Sequence, residues 1–143
     1  MIGVFSALEV AASGLGAQRV RMNTIASNLA NVHTTRTPEG GPFKRLDPVF
    51  EAAAVDGTTD AFAAESGVSR VNVASIAQDQ RPGMLVYEPG HPDANAQGYV
   101  EYPNVNAVEE MVNMITASRA YEAGVTSIES VKQMARSALG IAR

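Results

Sequence analysis

The residues from Asn106 to Ala142 run without a proline and carry a continuous seven-residue repeat. Met114, Tyr121, Ile128, Ala135 and Ala142 form one row, and Ala117, Gly124, Val131 and Ala138 form a second row three residues on. Every position in both rows is apolar or glycine. Held over about four repeats, such a pattern favours a coiled coil over a lone amphipathic helix. Asn106 is placed to cap the helix, Glu109 and Glu110 put negative charge on its first turn, and Lys132, Arg136 and Arg143 lie towards its other end. Both ends therefore suit the helix dipole. At about 1.5 Å per residue the helix is roughly 55 Å long, too long to be covered by a compact domain of this size, so it needs a partner helix.

The partner is near the other end. Ser6 followed by Glu9 reads as a capping box, with Phe5 and Val10 as the matching hydrophobic staple. From there Leu8, Leu15, Met22 and Leu29 repeat every seven residues, flanked by Ala11, Gln18, Ile25 and Val32. This is a second coiled-coil stripe, shorter than the first, and Gln18 is its polar member. Gly14 and Gly16 fall inside it, either to let a neighbouring helix approach, or as tolerated residues that each cost about 1 kcal/mol against alanine, or as a local break. The asparagines at 28 and 31 are suited to the left-handed conformation that ends helices. The segment His33 to Pro42 is a loop by composition.

Between Phe43 and Pro103 the pattern changes to short β-type segments: Val49-Phe50, Val71 with Val73 and Ile76, Met84 to Tyr87, and Tyr99 to Tyr102. Glycine, proline and aspartate separate them. Residues Asp56 to Gly67 read as a mobile surface loop. The expected class is α+β: long N- and C-terminal helices pairing as an antiparallel-type coiled coil, with a small β-rich unit inserted between them. The divisions fall at 1–33 for the N-terminal helix, 34–48 for a loop, 49–103 for the β-rich unit and 104–143 for the C-terminal helix.

Composition supports an elongated body. The hydrophobic share is 45%, but much of it is alanine and valine, aromatics are 6%, and there is no tryptophan, so the large side chains of a deep core are scarce. A narrow helix seam can be filled by small residues instead. The net charge of -4 comes with no basic block, which argues against nucleic acid as a partner. The absence of cysteine removes disulfides and thiolate chemistry, and suits either the cytosol or a chain that crosses a membrane unfolded. No window approaches the roughly 20 apolar residues of a membrane span, and the N-terminus has no signal-peptide pattern. An exported chain of this kind would use another route.

Catalytic chemistry finds little support. His91 stands between Glu88 and Asp93 in a turn bounded by Pro89 and Pro92, and packing in that turn is favoured over metal or base chemistry. No metal, phosphate-loop or nucleophile motif accompanies it. Ser13 and Ser27 lack a paired base. No cofactor and no small-molecule substrate is expected.

Four blocks, in order, carry a resemblance. They are Ala12-Ser13-Gly14-Leu15 with Met22-Asn23 and Ser27-Asn28-Leu29-Ala30-Asn31; Thr34 to Pro42; Leu85 to Ala94 leading to Gly98-Tyr99-Val100; and Tyr102 to Asn106 with Glu109-Glu110-Met111 and Ser118 to Ala123. Together the chain resembles the flagellar basal-body rod proteins, specifically a member of the proximal rod. Two positions depart from the family's usual residues: Gly124 stands for asparagine, and Val32-His33 for Ala-Asn.

The resemblance implies a structural subunit of the rod that crosses the periplasm, exported by the flagellar type III apparatus and ordered on assembly. Its implied partners are copies of itself, other proximal-rod and distal-rod proteins, the adaptor joining the rod to the membrane ring, and the export apparatus. The rival reading is a secreted coiled-coil component or effector of a related export system. A metal-assisted hydrolase at His91 ranks last. Leu8, Leu15, Met22, Ile25 and Leu29 are expected to face Met114, Tyr121, Ile128 and Val131 within one subunit. Asn28, Asn31, Arg36, Glu109, Glu110, Arg119 and Glu122 are the candidates for contacts between subunits, with solvated surface positions as their bland alternative.

Overall fold

The computed structural model describes residues 2–54 and 69–141. Helix α1 spans Ile2–Ala30 and helix α2 spans Ala107–Ile141. They lie side by side and antiparallel: Leu15 meets Gly124 and Asn28 meets Glu110, so numbers rise along one helix as they fall along the other. Between them come β1 (Leu46–Ala54), β2 (Ser69–Gln78), β3 (Met84–Tyr87) and β4 (Tyr99–Tyr102). The class is α+β.

Asn106 caps α2 as its type and position suggest. Its Oδ1 accepts the backbone N–H of Val108 at 3.1 Å and of Glu109 at 3.3 Å. Ser6 does not stand at the N-terminal cap position expected of it, because α1 is already helical from Ile2. Nor does an asparagine end α1 in the left-handed conformation, since no described residue other than glycine has a positive φ. The helix instead runs out through hydrogen-bonded turns, with Asn31 N–H on Ser27 O and Thr34 N–H on Asn31 O.

Among the described residues the inserted part forms two two-stranded antiparallel ribbons, β1 with β2 and β3 with β4. Strand β1 also begins at Leu46, within the stretch read as loop. In the first ribbon Val49 pairs with Ser75 and Phe50 with Val73, leaving Ala74 as a bulge that bends the strand. The loop expected over Asp56 to Gly67 lies outside the described residues.

The first ribbon packs on α1. Ser13 ties the two together: its hydroxyl donates to Val10 O at 2.8 Å and accepts the N–H of Val71 at 3.0 Å. Arg70 reaches Glu9 at 3.5 Å. Helix α1 is thus covered on two sides, by α2 and by the ribbon. This explains why Ala17 and Thr24, which lie off the expected stripe, are buried. The core is thin: Ala17, Ile25, Val100 and Ala117 are its buried apolar residues among those described, accompanied by Thr24, Asn28 and Glu110.

Candidate assembly site

Of the residues expected along the seam, Leu15 lies against α2 at Gly124. On α1, Ile25 is buried and Leu8, Leu15, Met22 and Leu29 are half-buried. On α2, Ala117 is buried and Met114, Tyr121, Gly124, Ile128 and Val131 are half-buried, whereas Ala138 is exposed. A Cβ at Gly14 or Gly16 would meet nothing within 4 Å, so neither glycine admits a neighbour inside the subunit. The close approach is at Gly124, where the side chain of Leu15 takes the space. Gln18, the polar member of the α1 stripe, has its Oε1 enclosed without a hydrogen-bond partner.

Deep polar contacts fix how the helices and the first ribbon sit together. Asn28 lies fully buried on α1, and its amide Nδ2 donates to Glu110 Oε2 at 3.0 Å and to Leu46 O at 2.9 Å. Its Oδ1 accepts the N–H of Leu46 at 2.9 Å, so Asn28 pairs with β1 as another strand would. Arg45 closes the circuit from its Nε to Glu110 Oε1 at 2.8 Å. Burial works against the charge of Arg45, but the hydrogen bond and charge of Glu110, with Asp47, outweigh it and raise its pKa above the ordinary guanidinium value. Asn104 extends the lock, accepting the N–H of Arg45 at 2.8 Å and donating to the carbonyls of Asp79 and Arg81. Each buried polar atom of this lock has a partner, as a low-dielectric interior requires.

A second set of contacts holds the loop after α1. The Thr35 hydroxyl donates to Asp93 Oδ2 at 2.8 Å, and the Arg36 guanidinium pairs with the same carboxylate. The Asp93 N–H donates to His91 Nδ1 at 3.1 Å, so this imidazole serves the turn. Both histidines of the chain flank Tyr102, with ring centroids 6.2 Å away for His33 and 6.4 Å for His91. The Tyr102 hydroxyl donates to Glu88 at 3.1 Å, and that bond, with burial, raises its pKa. Among the described residues no group of three or more histidines or carboxylates is arranged to hold a metal ion.

These geometries correct part of the expectation for contacts between subunits. Asn28 and Glu110 have no face left for a neighbour, because both are buried and bonded inside the subunit. Charge and polarity alone suggested exposure; an internal partner made burial possible. Asn31 is half-buried and turned to Ser27 and Thr34. Arg36 is exposed but paired, while Glu109, Arg119 and Glu122 are exposed on α2.

Sequence reasoning missed a larger feature. Val108, Met111, Val112 and Ile115 leave 71%, 56%, 57% and 57% of their surface open on the first turns of α2. The signal was present in the repeat itself: these apolar residues occupy heptad positions outside the two seam rows, where a helix with one partner carries polar side chains.

Two matching regions each take in most or all of one helix. Residues 8–36 match the family described as flagella basal body rod protein, and residues 96–141 match the one described as flagellar basal body rod FlgEFG protein C-terminal. An antiparallel pair of terminal helices carrying both signatures defines a basal-body rod protein. Full-length relatives narrow the class. The flagellar basal-body rod protein FlgC of Borreliella burgdorferi is 48% identical, with 98% of each chain covered. That of Salmonella typhimurium is 41% identical over 93% of each, and that of Bacillus subtilis 40% identical over 97% of this chain and 98% of its own. The chain belongs to the FlgC family of flagellar basal-body rod proteins.

Proposed function

We propose that the chain is a structural subunit of the flagellar proximal rod, delivered by the type III export apparatus and ordered as it assembles, with no catalytic chemistry of its own. The supporting observation is the open apolar face of α2, which a subunit working alone would leave in water. The helices act as an antiparallel coiled coil in the rod, with the expected seam at its centre. A hairpin with so thin a core offsets little of the roughly 1 to 2 kcal/mol per residue that ordering the backbone costs. Burial of outer faces by neighbours supplies the rest, so folding and assembly are coupled. The partners are copies of the chain, other proximal-rod and distal-rod proteins, the adaptor to the membrane ring and the export apparatus. The chain would reside in the rod that spans the periplasm.

The test is replacement. Cells lacking their own copy should swim again when this chain is supplied, and isolated basal bodies should contain it. A chain that is secreted but absent from basal bodies would favour the secreted-component reading. Circular dichroism addresses coupled ordering: a strongly helical, cooperatively melting monomer at low concentration would count against it. Protease should spare both helices in basal bodies, and cleavage as fast as in the free chain would also count against it.

A further inference from the structure

The outward side of α1 complements the open face of α2. It is a narrow strip of exposed positions, Ala12, Gly16, Arg19, Asn23, Ala26 and Ala30, left between α2 and the first ribbon. The open face of α2 carries large apolar side chains in its first turns, then Glu122, Val125 and Lys132 further along the same side. Within one subunit these surfaces point away from the seam, so neither can satisfy the other there.

Charge selects one alignment. In an antiparallel register Glu122 comes opposite Arg19, and the step onward to Lys132 equals the step from Arg19 back to Glu9. Two pairs of opposite sign therefore fall into place together. Glu9 keeps 36% of its side chain open beside Arg70, and Arg19, Glu122 and Lys132 are exposed. The same register seats Met111 on Ala30, Ile115 on Ala26 and Val125 on Gly16, each large side chain on a small one. A parallel alignment through Glu122 and Arg19 would place Lys132 on Leu29 and leave Glu9 against Val112.

We infer that the open face of α2 docks antiparallel onto α1 of a second copy of the chain, with Glu122 on Arg19 and Lys132 on Glu9 of that copy. The contact joins two different surfaces, so each copy keeps one of each free and addition can continue. Antiparallel pairing between copies also lets all copies point the same way, because α1 and α2 already run opposite within each. This proposal rests on the rod reading and specifies one interface within it.

The chain has no cysteine, which makes cross-linking clean. Ile115→Cys combined with Ala26→Cys should give disulfide-linked dimers and higher ladders in oxidised basal bodies from motile cells. Ile115→Cys with Ala12→Cys, which would meet in the parallel alignment, should give several-fold less. Glu122→Arg or Arg19→Glu should each lower incorporation several-fold, and the two together should restore most of it. Motile cells whose basal bodies hold the Ala26→Cys, Ile115→Cys chain but show no linked dimer from it, or more dimer from the parallel pair, would overturn the interface and leave the rod reading standing. Absence of the unsubstituted chain from basal bodies would remove the rod reading, and this interface with it.

Discussion

Leu15 lies against Gly124 so closely that a Cβ at position 124 would come within 2.7 Å of its Cδ2 and 3.3 Å of its Cγ. The helices approach at this point because one side contributes only backbone. Replacing Gly124 by alanine should be close to neutral: about 1 kcal/mol of helix propensity is gained, and a similar amount is lost in turning Leu15 from its rotamer. Gly124→Val should cost about 1 to 3 kcal/mol by overpacking. Adding Leu15→Ala to Gly124→Val should recover part of that loss, read as the temperature at which basal bodies come apart. A loss equal to the sum of the two single variants would show that the residues do not share the space.

Glu110 is the centre of the buried circuit with Asn28 and Arg45. Glu110→Ala should lower stability by about 3 kcal/mol, at the low end for breaking a buried pair, because Arg45 keeps 17% of its side chain in solvent and can turn outward. Glu110→Gln should cost less, since an amide still offers an oxygen to Arg45. Heat lability of assembled basal bodies measures both, and equal tolerance of alanine and glutamine would mean the carboxylate is not engaged as described.

Asp79 provides a pH marker for the loop that Asn104 holds. Hydrogen bonds from the Arg81 side chain at 2.8 and 2.5 Å, then from its backbone N–H at 3.0 Å, lower its pKa to about 2. A carboxylate lowered on folding contributes fully above its unfolded value of about 4, and that contribution is lost as pH falls through about 2. NMR titration of the side-chain carboxyl should show the low midpoint. In Arg81→Ala it should return towards the ordinary value, and an unchanged midpoint would assign the shift to another cause.

The His91 imidazole accepts one backbone hydrogen bond, from Asp93, in a turn. His91→Ala should loosen that turn by about 1 kcal/mol and leave swimming intact. Loss of motility with the chain still present in basal bodies would give the imidazole a role beyond the turn.

Asp93 restrains the loop after α1 through Thr35 and Arg36. Asp93→Ala should therefore speed tryptic cleavage after Arg36 several-fold, because the exposed guanidinium loses its anchor. Unchanged cleavage would place the restraint in the surrounding turns.

The two helices and the α2 cap were readable because they rest on local spacing and on the chemistry of neighbouring residues. Leu15 and Gly124 could each be assigned to a seam in that way. The same reasoning failed for Asn28 and Glu110, which look like surface residues one at a time and become buried only because folding sets them face to face beside Arg45. It also missed that β1 and β2 would cover a second side of α1, since ribbon packing depends on how a long intervening segment returns to the helix. Repeats and composition by themselves determined that this chain must bring two long apolar helices together. Tertiary structure alone decided which polar groups satisfy one another in the thin core and which apolar face stays open, because both depend on contacts between residues far apart in sequence.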